Sequence, residues 1–394
     1  MQNGRFFSYL NTAERLVAGY HGDLPFHHYL RAFFRENTKY GSKDRKQISK
    51  LCYAYFRTGN ALSDHPVKDK ILASLFLCSE EQEPVLNALK PEWTAQVEYS
   101  LEEKISFLEM VGFQLRIPEV FPLYERISGL IPDASRFVLS HLVQPRLFLR
   151  VRPGREETVE SGLRKAGIPY NLFDHTIELA NSTDILNVLA TDKDVVVQDL
   201  SSQRTSKFLE RAIRDIGPQA RVWDCCAASG GKSIMAFDIE PAIELSVSDI
   251  RNSILENLSE RFKRAGIKKF HSFVADLTVQ ERSGFYDVVM ADVPCSGSGT
   301  WGRTPEEMSF FSSSKLERYT ETQLKIVKNV SRNVKPGGSL LYLTCSVFRD
   351  ENEGMVERIV KETKLELQSM ELVGGWESSA DTMFMALFHM PVRS

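Results

Sequence analysis

No apolar run in the sequence reaches the roughly 18 residues that a membrane-crossing helix needs, so no span is expected. The opening Met1-Gln2-Asn3-Gly4-Arg5 lacks the apolar core of a signal peptide. Cysteine is scarce. The six cysteines among 394 residues, Cys52, Cys78, Cys225, Cys226, Cys295 and Cys345, show neither a C-x-x-C pair nor a zinc-ligand spacing. Reduced thiols in a cytoplasmic, metal-free protein are therefore expected. An excess of positive charge is also missing. The net charge is -3, so a nucleic-acid contact has to come from a local basic patch. Two nucleotide signatures are absent as well. There is no G-x-G-x-x-G, and Gly231-Lys232-Ser233, which ends like a phosphate loop, has Cys226 where that motif requires its first glycine. What remains is an ordinary globular composition, 26% charged and 42% hydrophobic, long enough for two or three domains.

Residues 1–125 read as helical. Ala13, Leu16, Val17 and Tyr20 form one apolar stripe, Tyr29, Leu30, Phe33 and Phe34 a second, and Ile48, Leu51, Cys52, Tyr55 and Phe56 a third. Basic residues crowd the first half, from Arg31 to Arg57, and acidic ones the second. A solvated helical surface is the plainer reading of these charges, and an RNA-facing patch the sharper one. His27 and His28, being adjacent, point to different helix faces and are assigned to the surface. Residues 126–199 read as a small α+β module. It has a strand through Leu147 to Arg152, a helix through Val159, Leu163 and Ala166, and short strands at 177–179 and 195–197. Arg150 and Arg152 share one strand face, where two like charges call for an anion, and a phosphate contact is the favoured reading. From residue 200 to 394 strands and helices alternate, with strands predicted at 221–225, 243–249, 271–276, 286–293, 338–346 and 381–388. This pattern is that of an α/β fold with a parallel, doubly wound sheet.

Ligands of such sheets bind at the carboxyl edge of the strands. Asp224, Asp249, Asp276, Asp292 and Cys345 all fall there. A lone aspartate at such a place is more simply a helix cap or turn residue, but the set is better explained as a site. The loop Asp224-Cys225-Cys226-Ala227-Ala228-Ser229-Gly230-Gly231-Lys232 lets a ligand approach backbone and helix N-terminus closely. Without a pyrophosphate signature, S-adenosylmethionine fits this loop best, with Asp249 on the ribose and Asp276 at the adenine edge. Two thiols follow at strand ends, Cys295 in Asp292-Val293-Pro294-Cys295-Ser296-Gly297-Ser298-Gly299 and Cys345 in Thr344-Cys345-Ser346. Cys52 and Cys78, by contrast, read as small apolar side chains. Two thiols beside a methyl donor suit one reaction in particular. Carbon 5 of cytosine is a weak nucleophile until a thiolate adds to carbon 6. An acid such as Asp292 can hold or protonate N3, and Lys232 can favour the thiolate. The target base has to leave its stack or be single-stranded.

On these motifs the sequence resembles the RNA cytosine-5 methyltransferases of the RsmB/Nop2/Sun (Fmu/Sun) group, most closely the RsmB-like 16S rRNA enzymes. The matching stretches lie between about 145 and 394, and include Gln198-Asp199-Leu200-Ser201-Ser202-Gln203 and Glu351-Asn352-Glu353. The resemblance implies a Rossmann-like catalytic domain, with Cys345 as nucleophile and Cys295 aiding release. It implies S-adenosylmethionine contacts from Cys226, Ala227, Ala228, Ser229, Gly230, Gly231 and Lys232, and from Asp249, Asp276 and Asp292. Arg150, Arg152 and Arg303 are expected on the RNA. The N-terminal region is similar to a NusB-like RNA-binding domain, mainly through Asp44-Arg45 and Cys52-Tyr53-Ala54-Tyr55-Phe56-Arg57. The chain departs from the family pattern at Ser229 (usually Pro), Val293 (usually Ala), Arg152 (usually Asn) and Asp381 to Ala386. The expectation is thus a monomeric rRNA methyltransferase of three domains, 1–125, 126–199 and 200–394. The same chemistry on tRNA, or a non-catalytic RNA-binding assembly factor, are the alternatives.

Overall fold

Apolar residues spaced three and four apart wind residues 3–125 into helices in the computed structural model, which describes residues 3–392. The chain divides into two compact units. One comprises Met1–Glu125, Asp133–Gln144 and Trp301–Ser313, and the other Arg126–Pro132, Pro145–Thr300 and Ser314–Ser394.

The first unit is helical, as expected. Ala13, Leu16, Val17 and Tyr20 are buried, and so are Ile48, Leu51, Cys52 and Phe56. Segment 301–313 completes this core: Trp301 packs on Phe121 and Phe310 on Tyr20, with ring centroids 5.0 and 5.3 Å apart. One member of the basic run is misplaced by sequence reading. Arg57 is buried, and its guanidinium donates to the His141 and Val143 carbonyls and to Gln144. The carbonyls left open near the end of helix Ala134–Ser140 need a donor, and Arg57 supplies it.

The second unit holds two sheets. Strands β1 (Leu147–Val151), β2 (Asn171–Phe173), β3 (Thr176–Leu179) and β4 (Val195–Val197) form an antiparallel sheet of order β2-β3-β1-β4. Helix Glu156–Lys165 buries Val159 and Leu163 against Leu149, Val151 and Ile177 of this sheet. Strand β2 escaped the sequence pattern because all three of its residues are exposed, which leaves no alternation to read.

The larger sheet comprises β5 (Arg221–Asp224), β6 (Glu244–Asp249), β7 (His271–Val274), β8 (Tyr286–Asp292), β9 (Val334–Thr344), β10 (Glu366–Gly374) and β11 (Thr382–His389). Its order is β10-β11-β9-β8-β5-β6-β7. Strands β5 to β9 pair in parallel, and β11 inserts antiparallel between β9 and β10. Alternate residues feed two cores. Val222, Val288, Met290 and Leu341 face one side, and Trp223, Val289, Ala291 and Tyr342 the other. Sequence reading missed β10, an edge strand carrying Glu366 and Glu371 with little burial; charge on an edge blunts unwanted pairing but hides the strand pattern.

The small sheet is joined to the large one by buried ion pairs. Arg150 and Arg152 both meet Asp238 at 2.6 Å, on the helix Gly231–Ile239. Arg152 also donates to the carbonyls of Asp192 and Ala265. The phosphate reading of these two arginines is therefore corrected: the anion opposite them is a carboxylate of this chain. Asp192 likewise meets Arg261 and Arg264, at 2.6 and 2.7 Å.

Candidate active site

The parallel strands deliver their last residues to one edge. Asp224, Asp249 and Asp292 end β5, β6 and β8, Asp276 lies two residues past β7, and Cys345 directly follows β9. The order reverses between β5 and β8, where doubly wound sheets open a crevice for ligands.

The loop after β5 turns tightly, with Ala228 at φ 44° and Gly230 at φ 81°. A Cβ at Gly230 would lie 2.9 Å from the Phe262 ring, so glycine is required for both its conformation and its space. The Ala228 N–H donates to Asp249, whose carboxylate also accepts from the Arg251 N–H and guanidinium. Asp276 accepts from the N–H and hydroxyl of Thr278. Between these residues lies a cavity of about 280 Å³, lined among others by Cys226, Asp249, Asp276 and Pro294. Ser229, unexpected in sequence, accepts from Arg261 through both its carbonyl and its hydroxyl, at 2.7 and 3.0 Å. The same arginine holds Asp192, so this serine ties the loop to the small sheet.

Lys232 reaches from the first turn of its helix to Asp292, Nζ to Oδ2 at 2.7 Å. Burial opposes its charge, yet attraction to Asp292, with help from Cys345 and Asp224, raises its pKa. Asp224 is buried and accepts from the Ser233 hydroxyl; burial pushes its carboxyl up to about 7. The two thiols meet, with Cys295 Sγ 3.3 Å from Cys345 Sγ. The hydrogen bond with Cys345, reinforced by burial, raises the Cys295 pKa well above that of an ordinary thiol. Gly299 lets the loops close. A Cβ there would sit 2.0 Å from the Thr382 carbonyl oxygen, while its N–H donates to the Cys345 carbonyl.

Sequence reasoning missed the groups beneath the thiols. Asn352 clamps the residues on either side of Cys345, accepting from the Thr344 hydroxyl at 2.7 Å and donating to the Ser346 carbonyl at 2.9 Å. Glu351 accepts from Ser296, Ser346 and Gln323. The run Glu351-Asn352-Glu353 is visible in the sequence as part of the resemblance, but with no task for its side chains. Of the remaining candidates, Arg303 lies partly exposed in segment 301–313 of the helical unit. His27 and His28 are exposed, and Cys52 is fully buried with a raised pKa.

Fold and site together define a Rossmann-like domain with a ligand cavity at the carboxyl edge of its sheet. Residues 213–388 match the model of the family described as 16S rRNA methyltransferase RsmB/F. Proteins named ribosomal RNA small subunit methyltransferase B are similar to the chain. That of Xylella fastidiosa is 30% identical over 250 residues, which cover 61% of this chain and 58% of the relative. That of Shewanella oneidensis is 30% identical over 197 residues, covering 49% and 44%. The chain thus spans less than two thirds of the length of these relatives. Among solved structures, PH0851 superposes with a TM-score of 0.68 at 19% identity, covering 99% of both chains. NSun6 from Pyrococcus horikoshii with SFG superposes with a TM-score of 0.60 at 15% identity, covering 69% of this chain and 98% of that one. Among the described residues no helix is long and apolar enough to cross a membrane.

Proposed function

We propose that the chain is an S-adenosylmethionine-dependent RNA cytosine-5 methyltransferase acting on 16S rRNA. The observation that carries this reading is the pair of thiols, 3.3 Å apart, at the ligand edge of a methyltransferase sheet. The cavity bounded by Cys226, Asp249 and Asp276 has the chemistry of a nucleoside site, with acids for hydroxyl and amino groups and an apolar wall from Ala275 and Leu277. Asp249 would hold the ribose, Asp276 the adenine edge, and the loop from Cys226 to Lys232 the amino-acid end. S-adenosylmethionine, when bound, supplies an electrophilic methyl group.

The chain's own residues prepare the base. The Cys345 thiolate adds to carbon 6 of cytosine, and the ring's electron pair shifts toward N3, where Asp292 holds or delivers a proton. Lys232 anchors Asp292 for that task. Carbon 5 is thereby made nucleophilic. Once it carries its new substituent, its proton leaves to a base, the 5,6 double bond re-forms, and the bonding pair of the carbon–sulfur bond returns to Cys345. Cys295, 3.3 Å from Cys345, is the group placed to assist that release. The exposed basic residues between Arg31 and Lys46, together with Arg303, are proposed as RNA contacts.

The roles are tested with an unmodified 16S rRNA transcript and S-adenosylmethionine. Cys345→Ala is expected to abolish methyl transfer. Cys295→Ala is expected to accumulate a covalent protein–RNA complex that survives a denaturing gel. A Cys345→Ala protein that still methylates, together with no adduct from Cys295→Ala, would overturn the assignment of these roles, whereas a wild-type chain that transfers no methyl group would favour a non-catalytic RNA-binding role.

A further inference from the structure

The Cys295 and Cys345 loops are 50 residues apart in sequence, yet one side chain holds both. Glu351 has no solvent exposure. Its carboxylate accepts from the Ser296 N–H at 2.9 Å, the Ser296 hydroxyl, the Ser346 hydroxyl and the Gln323 amide at 2.8 Å. Ser296 directly follows Cys295, and Ser346 directly follows Cys345. Tyr342 fixes the hub from below by donating to the Glu351 carbonyl at 2.7 Å. All four donors to the carboxylate are uncharged. Burying a carboxylate without a cation is costly, and an amide could fill the same space more cheaply. Only an acceptor-only group, however, takes the Ser296 N–H and the Gln323 amide on one oxygen and both hydroxyls on the other. Asn352 contrasts with it, since it grips Thr344 and Ser346 alone and so holds one thiol rather than the pair.

We propose that Glu351 is a positioning residue that keeps the two thiols at working distance and so couples formation of the covalent adduct to its release. The inference rests on the cytosine-5 reading above. Cys345 has a second hold in Asn352, whereas the Cys295 loop takes two bonds from Glu351 and a third from Gln323, which Glu351 also holds, besides the Ser296–Ser346 contact. Loosening Glu351 therefore displaces Cys295 from Cys345 more than it displaces Cys345 from its own strand. Adduct formation survives and release slows.

The test uses the full chain, an unmodified 16S rRNA transcript and S-adenosylmethionine, and compares wild type, Glu351→Gln and Cys295→Ala side by side. Glu351→Gln keeps the volume but sets amide donors against the seryl hydroxyls. Turnover is expected to fall roughly 10²-fold, the scale of a misplacement of about 1 Å. The fraction of covalent protein–RNA complex is expected to rise above wild type, toward that of Cys295→Ala. A merely structural role predicts otherwise, with adduct and turnover falling together. That result, or wild-type turnover, overturns the proposal. If Cys295→Ala itself gives no adduct, the cytosine-5 reading falls and the coupling with it. If Cys295→Ala gives adduct and Glu351→Gln does not, only the coupling falls. Should Glu351→Gln fail to fold, Ser296→Ala removes the hydroxyl bonds of the Cys295 loop to Glu351 and Ser346 and is expected to raise the adduct to a smaller extent; no rise overturns the coupling.

Discussion

Asp224 carries a proton that an exposed aspartate would not. Unfolded, its carboxyl titrates near 3.8, and folded, burial pushes it up to about 7. Between these values the folded state binds the extra proton, so the stability it contributes is present below about pH 4 and is lost as pH rises to about 7. The slope is at most about 1.4 kcal/mol per pH unit. Asp224→Asn, which keeps an acceptor for Ser233, is expected to melt with less dependence on pH over this window than wild type. Thermal melts at several pH values check this, and parallel curves would refute it. Gly299 makes a second residue-scale case. Gly299→Ala places a carbon 2.0 Å from a backbone oxygen, so the backbone has to move. Overpacking of this kind costs about 1–3 kcal/mol. Because Gly299 also bonds the Cys345 carbonyl, activity is expected to fall further than the melting temperature alone explains. Both aspartate and glycine were visible as motif members. Their particular tasks were not, because each depends on what lies across from it.

At the scale of elements, the join between β1 and the helix Gly231–Ile239 rests on three buried charges. Asp238 faces both Arg150 and Arg152, all three side chains being nearly inaccessible to solvent. Removing the shared carboxylate leaves two buried cations facing each other. Asp238→Ala is expected to destabilise the chain by about 3–5 kcal/mol, measurable by denaturant unfolding. An effect below about 1 kcal/mol, the range of an exposed pair, would show that the join rests elsewhere. The alternation of Leu149 and Val151 with Arg150 and Arg152 was plain in the sequence, so the strand and its faces were readable. The partner was not, because Asp238 lies 88 and 86 residues away. Likewise β9 and β11 were legible as apolar runs, while the antiparallel insertion of β11 beside β9 was not. A fully buried strand looks the same in either direction.

At the scale of the molecule, the helical unit is not contiguous in sequence. Trp301 and Met308 of segment 301–313 are buried in it, and Glu306 accepts from the Phe26 N–H. A fragment ending at residue 144 therefore lacks part of its core. It is expected to unfold with little cooperativity and to bind hydrophobic dye, whereas the full chain is not; a fragment that melts sharply at the full-chain temperature would contradict this. The substrate is also a whole-molecule question. Bisulfite sequencing of total RNA from cells with and without the gene is expected to show one cytosine of 16S rRNA losing protection. A tRNA position would redirect the substrate, and no change anywhere would favour a non-catalytic role.

What the sequence determined by itself is local in origin. Spacings of three and four residues set the N-terminal helices, and apolar runs separated by helices set the Rossmann-like sheet. Motifs at the run ends placed Asp224, Asp249, Asp276, Asp292, Cys295 and Cys345 on one edge. What only the tertiary structure decided is which distant groups face one another: Asp238 with two arginines, segment 301–313 with the helical core, Ser229 with Arg261, and Glu351 beneath both thiols. Periodicity is written among near neighbours, whereas a buried polar contact is selected by the need to satisfy each donor and charge once the chain has closed around it.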